Sequence, residues 1–227
     1  MADRRRQRLL APVFATALAG AMALSGAACA QPGPSLPVAG LVAPVVLRSA
    51  DTSPRNACLE AAREAERKHG LPEGLLVGIA LNESGLHAYA LSIGGRAFYP
   101  DSHAEAARLL RASGGRAMAG CVQVNSGVHA RGGQDWPLDP WHATDWAATY
   151  LRQHFDTYGD WGMAVVRWHG GTPRMTTRLV CRVRSKIDVV APDSEIFRER
   201  CGRNDGEAMA RFRRNGQALL ELAEAPN

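Results

Sequence analysis

The stretch Ile79-Ala80-Leu81-Asn82-Glu83-Ser84-Gly85 places a single carboxylate at the end of an apolar helix. The apolar residues before it recur at helical spacing, and Glu83 follows Leu76 by seven positions and Ile79 by four. Glu83 is therefore expected on the buried stripe of this helix. Burial disfavours the charged form of a carboxyl group, so its pKa should rise toward values useful for proton donation at neutral pH. The alternative is a glutamate at the helix end that points into water.

Helix signals flank this stretch on both sides. An apolar stripe through Cys58 and Ala65 ends before Gly70, which predicts a helix from about Arg55 to His69. Pro72 is expected to open the next helix at its first turn. Capping residues predict three further helix starts, at Ser102 with Glu105, at Asp139 with Pro140, and at Asp160.

The second of these helices carries an apolar stripe that includes Trp146 and Tyr150, and both are expected mainly to pack in the core. A helical stripe also runs from Leu179 to Ile187, and residues 208–225 predict a further helix.

Two segments are predicted to be extended. Residues 89–99 indicate a β-hairpin, because two short apolar runs flank Gly94-Gly95, which permits a primed turn. Gln123 and Asn125 alternate with valines, so their amides are expected on one face of an extended piece. Neither βαβ alternation nor a phosphate-binding glycine motif occurs. The predicted fold class is mainly α, as an α+β helical domain with one small β-hairpin.

The first 30 residues have the features of a secretory signal peptide. A basic run that ends at Arg8 precedes an apolar segment and the cleavage sequence Ala28-Cys29-Ala30. Lipidation at Cys29 and a retained membrane anchor are the weaker alternatives. Removal of residues 1–30 lowers the net charge from +5 to +2, and residues 31–54, rich in Pro, Ala, Val and Ser, predict a linker. The expected location is the periplasm.

Four cysteines follow the leader, and an even count in an exported chain favours two disulfides. Three pairings are possible. We favour Cys58–Cys121 within the main domain and Cys181–Cys201 in the tail. No metal site is predicted, because neither Cys-x-x-Cys nor His-x-x-x-His spacing occurs.

Four motifs occur in a fixed order along the chain: Glu83-Ser84-Gly85, Gly120-Cys-Val-Gln123-Val-Asn125, Tyr158-Gly-Asp-Trp161 and Trp168-His-Gly-Gly171. As an ordered set they resemble the soluble-type (SLT) lytic transglycosylase domain, which is related to goose-type lysozyme. The hairpin sequence is similar to that of small members associated with secretion, conjugation or pilus machines. The resemblance covers roughly residues 56–175, and we place the domain at 55–175. Residues 176–227 are predicted to form a basic helical C-terminal extension.

The resemblance implies a lysozyme-like fold and a role for each motif residue. Glu83 would be the sole catalytic acid and base, and Ser84 a partner of Glu83 or of the sugar. Gln123 and Asn125 would line the sugar cleft. Trp168 stands where the family usually has a tyrosine. Its indole only donates a hydrogen bond, although it offers a stacking face to a sugar.

The implied function is that of a peptidoglycan lytic transglycosylase. It would cleave the β-1,4 bond between N-acetylmuramic acid and N-acetylglucosamine, form a 1,6-anhydro ring, and need no cofactor. The expected partners are glycan strands and an envelope-spanning machine, with the protein itself a monomer. Two alternatives are a hydrolytic muramidase of the same fold, which would need a second carboxylate, and a glycan-binding scaffold with little or no catalysis. No motif supports nucleic-acid binding by the basic tail.

Overall fold

The computed structural model of the chain describes residues 52–170, 173–201 and 206–226. The predicted signal peptide and almost all of the predicted linker lie outside these residues. The helices are α1 Pro54–His69, α2 Leu75–Glu83, α3 His103–Ala112, α4 Ser126–His129, α5 Pro140–Tyr158, α6 Trp161–His169, α7 Pro173–Val190, α8 Arg198–Cys201 and α9 Glu207–Glu224, with a 3-10 turn at Trp136–Leu138. The strands are β1 Leu91–Ile93, β2 Arg96–Phe98, β3 Met118–Ala119 and β4 Val124–Asn125.

The fold class predicted from the sequence is confirmed, because the protein is mainly helical with a small antiparallel sheet. The expected hairpin forms from β1 and β2, with Ile93 opposite Arg96. The sheet is larger than that hairpin, since its order is β2-β1-β3-β4. Strand β4 pairs with β3, with Asn125 opposite Met118, and this pairing ties the Gln123–Asn125 segment to the hairpin.

Helix α2 lies in the centre of the core, and residues 75–81 are all buried. The expected start of this helix at Pro72 is wrong, because α2 begins at Leu75. Its N-terminus is capped by a distant side chain. The carboxylate of Glu66, on α1, accepts hydrogen bonds from the backbone N–H groups of Gly74 (3.0 Å), Leu76 (2.6 Å) and Val77 (2.9 Å). A cap from another helix leaves no local sequence signal.

The other predicted caps are confirmed. Gly70 ends α1 with a φ of 61°, and Ser102 Oγ accepts a hydrogen bond from the Glu105 N–H at the start of α3. Asp139 caps α5, and Asp160 accepts from the backbone of the first turn of α6. These caps fix where α5 and α6 begin, and both helices contribute to the site described below.

The C-terminal helices pack directly against α2. A Cβ atom added at Gly78 would lie 2.8 Å from Ile187 Cγ1, and one added at Gly74 would lie 2.8 Å from Ala191 Cβ. Within the extension, Lys186 is buried and donates hydrogen bonds to the Phe212 carbonyl (2.7 Å) and to Asn215 Oδ1 (2.8 Å). Helices α7 and α9 therefore cover one side of the helix that ends at Glu83.

Two disulfides form with the pairing that we favoured. Cys58 on α1 bonds Cys121, and Cys181 on α7 bonds Cys201 on α8. The first crosslinks residues 63 apart in the sequence and secures the segment that leads into Gln123. Within the described residues, no helix combines the length and the apolar character needed to cross a membrane.

Candidate functional site

The turn that follows α2 is held by the hydroxyl of Ser84. This buried side chain donates to the carbonyl oxygens of Ala80 (3.2 Å) and Cys121 (2.6 Å) and accepts from the backbone N–H of His87 (3.1 Å). Its hydrogen bonds all go to the backbone. Ser84 thus joins the end of the helix that carries Glu83 to the segment before Gln123.

Two further contacts fix this part of the backbone. The Arg55 guanidinium donates to the carbonyl oxygen of Gly85. Gly120 approaches the 3-10 turn so closely that an added Cβ atom would lie 1.7 Å from the Pro137 carbonyl oxygen. Only glycine fits there, and its φ of 77° also favours glycine.

Glu83 is partly buried at the end of α2, as its position in the apolar stripe predicted. Burial raises the pKa of its carboxyl group above the usual value of 4.5. A hydrogen bond from Asn82 Nδ2 to Oε1 (2.9 Å) and the positive charges of His169 and Arg182 lower the pKa in part. The raised pKa favours a protonated carboxyl group, which is the form that a general acid requires.

Glu83 opens into a cleft of about 420 Å³. Residues from strands β3 and β4 with α4, from α5 and from the end of α6 form its walls: Met118, Gln123, Val124, Asn125, Val128, His129, Trp146, Tyr150, Arg167, Trp168, His169 and Gly170. Glu83 is the only carboxylate among the described residues of this lining.

The amides of Gln123 and Asn125 both lie in the cleft wall. Gln123 Nε2 donates to the carbonyl oxygens of Ala90 (3.2 Å) and Gly120 (3.1 Å), which directs the amide. Gln123 has a φ of 50°, so the segment is a turn leading into β4 rather than the continuous extended piece that we expected. A non-glycine residue in this conformation is strained, and such strain is commonly kept at binding sites.

Aromatic side chains form the second wall. The rings of Trp146 and Tyr150 stack at 5.3 Å with an interplanar angle of 9°. Trp168 packs against both, with centroid distances of 5.7 Å and 6.0 Å. His129 approaches Trp146 from the α4 side at 4.7 Å. Flat apolar faces beside hydrogen-bonding amides suit a sugar, which presents apolar C–H groups and hydroxyls together.

The cleft brings together four of the five residues predicted for the site, namely Glu83, Gln123, Asn125 and Trp168. Ser84 is absent from the lining, because its hydroxyl is committed to the backbone. Sequence reasoning missed the place of Trp146 and Tyr150, which we assigned to packing. The available signal was their i, i+4 spacing, which puts both rings at one edge of α5.

His129, Arg167 and His169 were also missed. No motif includes His129 or Arg167, and His169, although it lies in the Trp168-His-Gly-Gly171 motif, was given no role. These residues reach the cleft because α4 and α6 end beside it.

Neither a second cavity nor a metal site offers an alternative to this cleft among the described residues. A larger cavity of about 980 Å³ lies between the start of α6 and residues 195–200, but Asp160 at its edge pairs with Arg200 (2.8 Å). The described residues contain no group of three or more His, Cys, Asp or Glu side chains placed to hold a metal ion.

Comparison with known proteins gives one match. The family model described as "Transglycosylase SLT domain" matches residues 60–180, a range that contains all five predicted site residues. No curated protein and no solved structure matches the chain. Most of α7 and all of α8 and α9 lie beyond the matched range.

Proposed function

Because the chain belongs to the transglycosylase SLT family, we propose that it is a lytic transglycosylase whose general acid and base is Glu83. Members of this family act on peptidoglycan, which implies an extracytoplasmic location, and the two disulfides agree with export. The observation that carries the proposal is Glu83, the single carboxylate of the described cleft lining, which is partly buried at the end of α2 and has a raised pKa.

The proposed reaction starts with protonated Glu83. Its carboxyl group donates the proton to the glycosidic oxygen between N-acetylmuramic acid and N-acetylglucosamine, and the C1–O bond breaks. The substrate's own acetamido group supports the positive charge that develops at C1. The Glu83 carboxylate then takes the proton of the muramyl 6-hydroxyl while O6 bonds C1. The ring closes as a 1,6-anhydro sugar, no water is consumed, and Glu83 is protonated again.

The remaining cleft residues receive binding roles in this proposal. Gln123 and Asn125 hold sugar substituents by hydrogen bonds, and Trp168 with Trp146 and Tyr150 supplies the stacking wall. Ser84, predicted to contact the sugar or Glu83, instead receives a positioning role through its backbone bonds.

Transglycosylation is favoured over hydrolysis by the composition of the cleft. A hydrolase of the ordinary type uses a second carboxylate to activate water. The other buried glutamate, Glu66, is no substitute, because its oxygens accept three backbone N–H groups at the opposite end of α2 and it does not line the cleft.

We propose the same domain plan as the sequence predicted. In this plan a signal peptide of residues 1–30 directs export to the periplasm, and residues 31–54 form a linker. The catalytic domain comprises residues 55–175, and residues 176–227 are its C-terminal extension. The extension supports α2 through contacts such as that of Ile187 with Gly78. Service to a secretion, conjugation or pilus machine remains a prediction from the resemblance, without support from the described residues.

Digestion of purified peptidoglycan tests the proposal. The wild type should release muropeptides one water lighter than hydrolysed products, as mass spectrometry can measure. Glu83→Gln should release none. Glu64→Gln, which alters an exposed glutamate on α1, is the matched control and should behave as the wild type. Products with reducing ends would instead establish a hydrolytic muramidase. If the wild type released no products but still bound glycan, the glycan-binding scaffold would be favoured.

A further inference from the structure

Arg167 is the only arginine among the described residues that line the cleft. It lies in the last turn of α6, beside Trp168, and lines the same cleft as Glu83. Its guanidinium carbon lies 5.1 Å from the centre of the Tyr158 ring, and no carboxylate of the described residues pairs with it. Several other arginines do pair with acids: Arg63, Arg152, Arg184, Arg198 and Arg200.

The charges around the cleft favour an anionic ligand. Glu83 is the only acid of the described lining, and it begins the proposed reaction in its neutral form. His129 contributes little charge at neutral pH, since burial and the neighbouring Arg131 lower its pKa. Among the described lining residues, Arg167 is the one whose positive charge does not depend on pH, whereas His129 and His169 are imidazoles. Its exposed guanidinium presents several donors to a carboxylate in a planar fork.

The cleft is also asymmetric. The β3–β4 and α4 side presents Met118, Asn125 and Val128, which carry no charge. The α6 side presents Arg167 and His169. A glycan that alternates neutral and carboxylate-bearing sugars would complement this asymmetry by placing its anionic substituent toward α6.

Peptidoglycan alternates in this way. N-acetylglucosamine has no carboxyl group. N-acetylmuramic acid carries a lactyl ether whose carboxyl is either free or bonded to a stem peptide with carboxylates of its own. We infer that Arg167 binds a carboxylate carried by the muramyl residue, and so makes the cleft selective for muramyl-containing strands over neutral N-acetylglucosamine polymers. This inference rests on the proposed function and specifies the substrate of the same cleft.

A purely structural use of Arg167 would have different consequences. A cation in the last turn of a helix stabilises the helix dipole, and its stem can cover the Tyr158 ring. Removal of a residue with only these roles would destabilise the end of α6 and weaken the binding of every glycan alike. Selective loss toward anionic glycans is expected only if Arg167 meets a carboxylate.

Binding by Glu83→Gln protein tests the inference without turnover. Isothermal titration calorimetry would compare three probes: muropeptide oligomers with stem peptides, the same glycan after amidase treatment, which leaves free lactyl carboxylates, and an N-acetylglucosamine oligomer. Adding Arg167→Gln should weaken binding of an anionic probe about tenfold or more, as expected for a hydrogen-bonded charge. Binding of the neutral oligomer should not change.

The anionic probes distinguish the source of the carboxylate. If Arg167→Gln lowers the affinity only for the peptide-bearing probe, the contact is with a carboxylate of the stem peptide. If the affinity for the amidase-treated glycan also falls, the contact is with the lactyl carboxylate. Arg167→Lys should restore part of the affinity, because it keeps the charge. Arg108→Gln, at an exposed arginine of α3 outside the cleft, should change nothing.

Two results with Arg167→Gln would overturn the inference: an equal loss of affinity for the neutral oligomer, or no loss of affinity for either anionic probe. Neither depends on catalysis. Failure of the wild type to form anhydro products would overturn the proposed function while leaving this binding result intact.

Discussion

Glu66 and Glu83 lie at opposite ends of helix α2, and burial raises the pKa of both carboxyl groups. Glu66 accepts three backbone hydrogen bonds at the N-terminus. Glu83, at the C-terminus, receives one from the Asn82 side chain and faces the cleft. The first acid is saturated by the fold, whereas the second remains accessible to a ligand. The same burial therefore serves structure at one end and, in our proposal, chemistry at the other.

This difference predicts opposite effects of two equivalent substitutions on stability. Glu66→Gln should lower the free energy of unfolding by roughly 1–3 kcal/mol, because the Gly74 N–H would face an amide that cannot accept from it. Glu83→Gln should be at least as stable as the wild type at neutral pH. Thermal melts of the three proteins measure this, and equal melting temperatures for both variants would contradict it.

The pH dependence of that stability has a definite sign. Since the pKa of Glu83 is higher in the folded state than its ordinary value of 4.5, the native state holds the proton more tightly. The stabilisation that the raised pKa of Glu83 gives the folded state is fully present below pH 4.5, and it is lost as pH rises through the pKa of the folded state. The glutamine of Glu83→Gln does not titrate, so the variant does not lose this stabilisation. Its free energy of unfolding should therefore exceed that of the wild type by a growing margin as pH rises.

Arg182 should tune the pH profile of the reaction. Its positive charge lowers the pKa of Glu83, and it belongs to α7 beyond the matched family range. In the mechanism that we propose, activity requires protonated Glu83 and should fall as pH rises through that pKa. Arg182→Gln should move the fall to higher pH by on the order of half a unit, as expected for a partly screened charge. A pH–rate profile measures the shift.

Two variants separate charge from packing at this position. Arg182→Lys keeps the charge and should keep the profile. Arg178→Gln, one turn earlier on α7 and exposed, should also leave it unchanged. An unshifted profile in a well-folded Arg182→Gln protein would show that this charge does not act on Glu83.

Local patterns predicted much of this fold because local chemistry determines it. Ser102, Asp139 and Asp160 cap the turns that immediately follow them, so the starts of α3, α5 and α6 could be read from the sequence. The start of α2 could not, because its cap comes from Glu66 on the preceding helix.

The candidate site divides in the same way. Glu83, Gln123, Asn125 and Trp168 were predicted from motifs and line the cleft. The spacing of Trp146 and Tyr150 places both rings on one edge of α5, but only the packing of α5 against α6 brings that edge and Arg167 to the cleft. Ser84 sits in a motif, yet its role depends on Cys121, which lies 37 residues away.

The close contact between α2 and α7 should make Gly78 intolerant of a side chain. A Cβ atom there would lie 2.8 Å from Ile187 Cγ1, an atom close to the backbone that cannot easily move. Gly78→Ala should therefore lower the free energy of unfolding by about 1–3 kcal/mol through overpacking. It should also reduce turnover, because α2 carries Glu83. Denaturant melts and initial rates measure the two effects.

The control for this substitution is Gly206→Ala, where an added Cβ atom would meet nothing within 4 Å and where little change is expected. Adding Ile187→Ala to Gly78→Ala should cost less than the sum of the two single changes, because each relieves the other's defect. Strict additivity would contradict the packing explanation.

Trp168 offers a test of what the departure from the usual tyrosine means for catalysis. The indole packs on Trp146 and Tyr150 and lines the cleft, so Trp168→Ala should weaken glycan binding strongly.

Trp168→Phe and Trp168→Tyr both keep an aromatic face and differ by one hydroxyl. A tyrosine hydroxyl in the cleft can donate or accept a hydrogen bond, whereas an indole N–H only donates, so Trp168→Tyr should turn over faster than Trp168→Phe at similar affinity. Single-turnover rates with measured Kd values separate chemistry from binding. Equal rates for the Phe and Tyr variants would mean that the wall acts through its ring face alone, and that the tryptophan costs this protein nothing in catalysis.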